Sequence, residues 1–346
     1  MTDPEIDIVI PWVDGSDPEW QAVRAEYSGE TNLEDAWFRD WGLLPYVFRG
    51  IETFAPWVRK VHFVTWRHLP DWLNVECEKL NIVRHEDYIP KEYLPTFNSN
   101  AIELNFHRIP DLAENFILFN DDMFIISPVQ PSDFYQNGLP RRYGIHVPNR
   151  LNKGDFFYYP VNNTAIINEH FNMRKSVLGN IAKWINPCYG TNNLSTLLML
   201  AFTAFYGFYE AHLPVPYQKA TFKRVWEAES KILEQESSNR FRTSTGVSHW
   251  LIENWSIAEG AFYPQDKKYG RAFYANDLRL DNLHTVVDYI TKQKGKLTCI
   301  NDGQIQKEEF EQAVSRIGAA FEAILPNPSS FEKQAGSSEI QSRTSV

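Results

Sequence analysis

Four short apolar runs punctuate the first part of the chain: Asp7–Pro11 (DIVIP), Val61–Trp66 (VHFVTW), Asn81–His85 (NIVRH) and Phe116–Asn120 (FILFN). They are rich in Ile, Val and Phe and too short for helices, so they predict buried strands. Between them the spacing predicts helices at about Leu44–Phe54 and Ser99–Arg108, the latter stopped by Pro110. Strands alternating with helices predict an α/β layer on a mostly parallel sheet. In such sheets the site lies beyond the carboxyl ends of the strands.

Further along the pattern weakens. Pro128 to about Asn193 is rich in Tyr, Phe, Pro and Asn and predicts an irregular insertion that shapes the acceptor side. Leu197–Tyr209 (LLMLAFTAFYGFY) is almost wholly apolar but falls short of the ~18 residues of a membrane span. It predicts a buried helix, with an interfacial helix as the alternative. Phe222–Glu236 places Phe222, Val225, Trp226, Ile232 and Leu233 on one face, and Gln304–Leu325 does the same with Phe310, Val314, Ile317, Phe321 and Ile324. The stretch after Pro326 is polar and predicts disorder. No internal repeat is present.

Composition narrows the function classes. A net charge of −10 without a basic block argues against a nucleic-acid partner, and means that binding an anionic nucleotide needs local cations or a metal. Three widely spaced cysteines, Cys77, Cys188 and Cys299, suit a reducing compartment rather than a disulfide framework. Met-Thr-Asp-Pro-Glu runs straight into the first strand, which predicts no signal peptide and a cytoplasmic location.

The polar residues that follow strands are the candidates for chemistry. Asn120-Asp121-Asp122 follows a buried run, and adjacent carboxylates there are costly unless paired, hydrogen-bonded or metal-bound. Such oxygen-rich positions suit Mg²⁺ or Mn²⁺ bridging to substrate phosphates; a capped turn is the plain alternative. Asp14, before Gly15, is a candidate contact to donor ribose or base, whereas Asp17-Pro18 reads as a helix cap. Asn98-Ser99-Asn100 looks like a helix start whose free N–H groups could receive a phosphate. Glu103 lies off the apolar stripe of Ile102, Phe106 and Ile109, and dipole stabilisation explains it equally well. His212 sits in a proline-stiffened loop, and Arg240 and Arg242 follow a helix end. Singly, each has a structural explanation.

Read in order, these segments resemble the Stealth family of sugar-phosphate transferases. Ile6–Trp20 is similar to the family's first block. Asp40, Leu44, Tyr46, Arg49 and Ile51 keep the spacing D-x3-L-x-Y-x2-R-x-I of the second, followed by Ala55–Val58, Leu94–Ser99, Ala101–Glu103, His107–Ile109 and Phe119–Asp122. His212–Trp250 looks like the third block and Cys299–Gly303 like a weaker fourth. The resemblance implies one catalytic domain over 1–326, with blocks at 6–33, 37–127, 212–253 and 298–326, an insertion at 128–211 and a disordered tail at 327–346. Gly42, Pro45, Asn98 and Asp14 depart from the residues usual in the family; none removes a candidate catalytic group.

The same resemblance implies a GT-A-like nucleotide-sugar-binding fold, with Glu103, Asp122, His212 and Arg242 lining the active site; Asp14, Arg49, Asn98, Asn100 and Arg240 are the expected contacts to the donor. A divalent metal, Mg²⁺ or Mn²⁺, would rest on Asp122 with Asp121 or Asp302. The implied reaction moves a sugar-1-phosphate from a nucleotide diphosphosugar, most simply a UDP-hexose or UDP-N-acetylhexosamine, to a glycan hydroxyl during capsular or exopolysaccharide synthesis. A nucleoside monophosphate leaves. Arg242 is the natural phosphate clamp. His212 is the first choice of base, since histidine ordinarily titrates near neutrality, and Glu103 the alternative. Association with the inner face of the membrane or with capsule-assembly proteins is compatible with this role. A glycosyltransferase releasing a nucleoside diphosphate is the rival on the same scaffold, and a non-catalytic carbohydrate binder the third reading.

Overall fold

The computed structural model describes residues 5–29, 39–149, 158–302 and 305–334. The strands, in chain order, are β1 (Ile6–Pro11), β2 (Val61–Thr65), β3 (Leu80–Arg84), β4 (Asn115–Leu118), β5 (Met123–Ile125), β6 (Tyr135–Gln136), β7 (Leu139–Arg142), β8 (Val215–Gln218), β9 (Tyr263–Pro264), β10 (Gly270–Phe273) and β11 (Leu297–Ile300). The four runs anticipated from the pattern are β1 to β4. They lie parallel in a sheet of order β3-β2-β1-β4-β8, and only β8 runs antiparallel, against β4. The fold is therefore the expected α/β class with a mostly parallel sheet.

Both sheet faces are covered, as parallel strands require. Ile6, Ile8 and Ile10 of β1 join one apolar core and Val9 joins the other, the period of two turning successive side chains to opposite faces. The Leu44–Phe54 helix, predicted with these bounds, buries Val47, Phe48 and Ile51 in the first core. A Cβ on its Gly50 would stand 2.7 Å from the Ile125 carbonyl oxygen, so the absent side chain lets the helix lie directly against β5.

Beyond Asn120 the chain builds a second small sheet, β10-β11-β5, with β5 antiparallel to β11. This pairing carries the start of β5 to the carboxyl end of β11. The reversed strand β8 does the same for the segment before it, because its first residue, Val215, pairs with Leu118 at the end of β4. Chain following β4, preceding β8 and following β11 thus meets at one sheet edge.

Several expectations need correction. The insertion is largely helical, with helices at Tyr159–His170, Met173–Gly179, Ile181–Trp184 and Asn192–Met199. Its short helices bury only a few apolar residues each, among them Ile167, Met173, Val177 and Trp184, which leaves no sustained period to read. Leu197–Tyr209 is not a buried helix. The helix ends at Met199, Phe205 and Phe208 turn inward, and Leu197, Leu198, Phe202 and Tyr206 are exposed. The Ser99–Arg108 helix stops at Leu104 and continues as a tighter turn at Phe106–Arg108, and Phe222–Glu236 is two helices, Lys219–Ala228 and Ser230–Ser238. The last helix is Lys307–Ile324.

The tail also departs from expectation as far as Gln334. Phe331 is fully buried in the first core, and Glu332 forms an ion pair with Arg49 at 2.9 Å. One aromatic and one carboxylate suffice to dock a stretch whose average composition is polar. Residues 335–346 of the predicted tail lie outside the described residues. Among the described residues no helix is long and apolar enough to cross a membrane.

Candidate active site

Asp122 occupies the meeting point of the three segments. It precedes β5, and its carbonyl oxygen accepts a hydrogen bond from the Ile300 N–H at the end of β11 (2.9 Å). Across that pairing lie Cys299, opposite Met123, and then Asn301, whose Nδ2 is 3.4 Å from Asp122 Oδ2 and 3.2 Å from His212 Nε2. His212 Nε2 is itself 3.9 Å from Asp122 Oδ2. His212 adopts φ +47°, a left-handed conformation costly for a side-chain-bearing residue, held just ahead of the buried Leu213.

On the other side, Glu103 and Ser99 project from the Ser99–Leu104 helix, and Arg242 Nη2 donates to Ser99 Oγ at 2.6 Å. Glu103 is buried, at 8% exposure, although its place off the apolar stripe suggested otherwise; this short helix buries both faces. Burial pushes its carboxyl up to about 7, with the Arg242 and His212 charges restraining the rise. The four residues singled out by the family resemblance thus form one electrostatically connected group at the carboxyl edge of the sheet. A carboxyl poised near neutrality there can accept or release a proton.

Asp122, His212 and Cys299 offer ligand atoms that all lie within 4.8 Å of one another. Asp122 Oδ1 is buried and receives no N–H or O–H hydrogen bond among the described residues, which suits an oxygen that can take a cation, and the Cys299 thiol hydrogen-bonds the same carboxylate. Burial and the adjacent Asp122 carboxylate push the Cys299 thiol up, which makes it a weak ligand while protonated.

Two family descriptions match the chain: Stealth protein CR1, conserved region 1, at residues 4–31, and Stealth protein CR2, conserved region 2, at residues 37–142. The capsular polysaccharide phosphotransferase WcwK of Streptococcus pneumoniae is 38% identical over 335 residues, covering 95% of this chain and 98% of that one. This chain belongs to the Stealth family. The receptor polysaccharide phosphotransferase WefC of Streptococcus oralis is 39% identical over 340 residues, covering 95% of this chain and 99% of its own. Among solved structures, the galactosyltransferase LgtC superposes with a TM-score of 0.39 at 9% identity, covering 93% of this chain and 97% of that one, a distant likeness of chain path only.

The remaining predicted residues of this Stealth protein are placed variously. Asp14 closes a turn, its Oδ1 accepting from the Ser16 N–H at 2.8 Å and hydroxyl at 2.6 Å, beside the carboxyl end of β1. Asn98 and Asn100 are buried, and both donate to Glu236 Oε1, at 2.9 and 3.2 Å. Those amides tie the helix start to the Ser230–Ser238 helix instead of reaching for a donor. Arg49 is drawn away altogether, to Glu322, Glu332 and the Leu325 carbonyl. Asp302 accepts from Trp41 Nε1 at 3.2 Å and lies 3.8 Å from Arg39, so it faces another neighbourhood than Asp122. Asp121 is exposed. Neither carboxylate belongs to the ligand cluster. Arg240 stacks 4.9 Å over Tyr27, and its buried Nε has no acceptor among the described residues.

His249 was not anticipated. Its Nε2 is 3.7 Å from Glu103 Oε2, and its Nδ1 is 2.7 Å from the Tyr217 hydroxyl. Burial, then the His212 and Arg142 charges, push its ring down to about 3 and keep it neutral beside Glu103. Asn301 was passed over in favour of its neighbour Asp302. The usable signal was position, since Asn301 is the first residue after β11.

Proposed function

We propose that this chain transfers a sugar-1-phosphate from a nucleotide diphosphosugar, a UDP-hexose or UDP-N-acetylhexosamine, to a hydroxyl of a glycan acceptor in capsular or exopolysaccharide synthesis. The convergence of Glu103, Asp122, His212 and Arg242 carries the reading, and the phosphotransferase names of near-full-length relatives support it. The acceptor oxygen attacks the sugar-side phosphorus, a new P–O bond forms, the bond to the bridging oxygen breaks, and a nucleoside monophosphate departs. Such transfer relies on in-line positioning and on spreading negative charge.

Glu103 takes the hydroxyl proton, since its carboxyl is already tuned near neutral pH. His249, neutral and fixed by Tyr217, orients that carboxylate. Arg242, anchored on Ser99, clamps the phosphate oxygens with its planar fork, and Arg240 contributes a second guanidinium on the donor side. Asp122 and His212 hold the divalent ion; a carboxylate with an imidazole suits Mn²⁺ better than Mg²⁺, which prefers oxygen alone. Bound there, the metal supplies charge neutralisation for the diphosphate. The exposed Tyr274 ring, 6.3 Å from the His212 ring, offers an apolar face for a sugar.

The test is product analysis with radiolabelled UDP-sugars and an oligosaccharide primer, before and after exhaustive chelation. Release of nucleoside monophosphate with labelled phosphodiester product is expected, restored by Mn²⁺ after chelation. Nucleoside diphosphate as the product would assign glycosyl transfer instead, and full turnover in metal-free protein would remove the metal.

A further inference from the structure

Of the ten large hydrophobic residues exposed among the described residues, seven lie between Leu178 and Tyr206. The Asn192–Met199 helix shows why. Its Leu194, Leu197 and Leu198, spaced i, i+3 and i+4, form one apolar stripe at 61%, 49% and 64% exposure, while Thr196 is fully buried and Ser195 Oγ donates to the His146 carbonyl. The helix is inverted: its polar residues hold it to the protein and its leucines face outward. The stripe continues into the exposed Phe202 and Tyr206, whose rings meet edge to face at 5.2 Å.

Charge selects the occupant. The chain carries a net charge of −10, yet residues 171–209 contain no Asp or Glu; of their three basic residues Lys183 is turned inward to the Gly260 carbonyl, whereas Arg174 and Lys175 are exposed. Arg174 lies on the flank of the stripe, donating to the Leu200 and Ala201 carbonyls, and Lys175 beside it is exposed. An outward apolar stripe flanked by cations is the pattern of a helix that lies in an anionic membrane interface. A symmetric contact with a second copy would set the same cations of this patch against one another.

We propose that the Asn192–Met199 helix and the following Phe202–Tyr206 bend dock the enzyme onto the surface of an anionic lipid bilayer, with Lys175 toward the headgroups. The insertion would then bring the catalytic edge to acceptors held at that surface.

The full chain is floated with vesicles of phosphatidylglycerol and phosphatidylcholine, and separately with phosphatidylcholine alone. Wild type is expected to partition onto the anionic vesicles. The combined Leu194→Gln, Leu197→Gln and Leu198→Gln variant should bind at least about tenfold more weakly. Lys175→Glu should weaken binding to anionic vesicles only. Circular dichroism checks folding, and Leu198→Gln alone, at the most exposed position, provides the comparison if the triple variant unfolds. Equal partitioning of wild type and the leucine variants, or no flotation of wild type with either lipid, overturns the proposal. So does a concentration-dependent dimer in sedimentation that the leucine substitutions abolish, because a second copy would then cover the face.

Discussion

Replacing Glu103 by Gln should stabilise the protein at alkaline pH while it abolishes most of the activity. Glutamine keeps the shape of the side chain and cannot ionise. Glu103 is buried, and its carboxyl is pushed from the ordinary 4.5 to about 7, chiefly by burial, so holding it ionised costs ~3 kcal/mol of folding free energy. The folded protein binds this proton more tightly than the unfolded chain. Stability from this group is therefore fully present below pH 4.5, declines as pH rises, and levels off above about 7. In metal-free protein the Gln variant should match wild type near pH 4.5 and exceed it by up to ~3 kcal/mol at pH 8. Urea unfolding at both pH values, with chelator present, measures the difference. Turnover should fall at least about a hundred-fold, as for a positioned proton acceptor, and the wild-type rate should rise with pH through about 7. Parallel stability profiles for the two proteins would show that ionised Glu103 is fully compensated and would refute the reasoning.

Three further outcomes are expected. Arg242→Lys keeps the charge but loses the fork and its grip on Ser99, so kcat/KM should drop roughly ten- to a hundred-fold in steady-state assays; unchanged kinetics would pass the clamp to Arg240. Truncation after Pro326 removes the fully buried Phe331 and the Arg49–Glu332 pair, and should cost ~3–5 kcal/mol, visible as a lower Tm. An unchanged Tm would show that this segment contributes nothing. Gly50→Ala should destabilise by ~1–3 kcal/mol despite the better helix propensity of Ala, because the new Cβ meets the Ile125 carbonyl; a neutral result in denaturant unfolding would mean the helix shifts freely.

The parallel sheet was legible because its strands are buried on both faces and read as unbroken Ile, Val and Phe runs. The Leu44–Phe54 helix was legible for the opposite reason, a strong one-sided period. The insertion was not, because helices of four to twelve residues that bury from one to five side chains, several of them polar, leave no sustained apolar period, and because the leucine stripe of one of them faces solvent. Family resemblance picked out Glu103, Asp122, His212 and Arg242, and the fold brings them together. It pointed to Arg49 as well, which in this fold grips the last helix and the tail. Asp302 misled because carboxylates look like ligands, whereas the neighbouring amide Asn301 meets Asp122 and His212. His249 is hidden in the sequence because a lone histidine beside a tryptophan looks like core; the fold brings it its partners Tyr217 and Glu103.

The antiparallel return of β8 has a consequence for how this architecture can diversify. Asp122 and His212 are ninety positions apart in sequence yet within 3.9 Å, so the intervening chain leaves and rejoins the sheet edge at nearly the same point. Its exposed turns are the parts free to vary, because β5 and Trp184 are buried in the two cores. Because closure entropy grows only logarithmically, doubling the length of such a turn costs about 0.6 kcal/mol, less than the ~1–3 kcal/mol expected of Gly50→Ala. The frame that holds Asp122 and His212 can thus stay constant while those turns are lengthened, shortened or exchanged, so that one scaffold can present different surfaces.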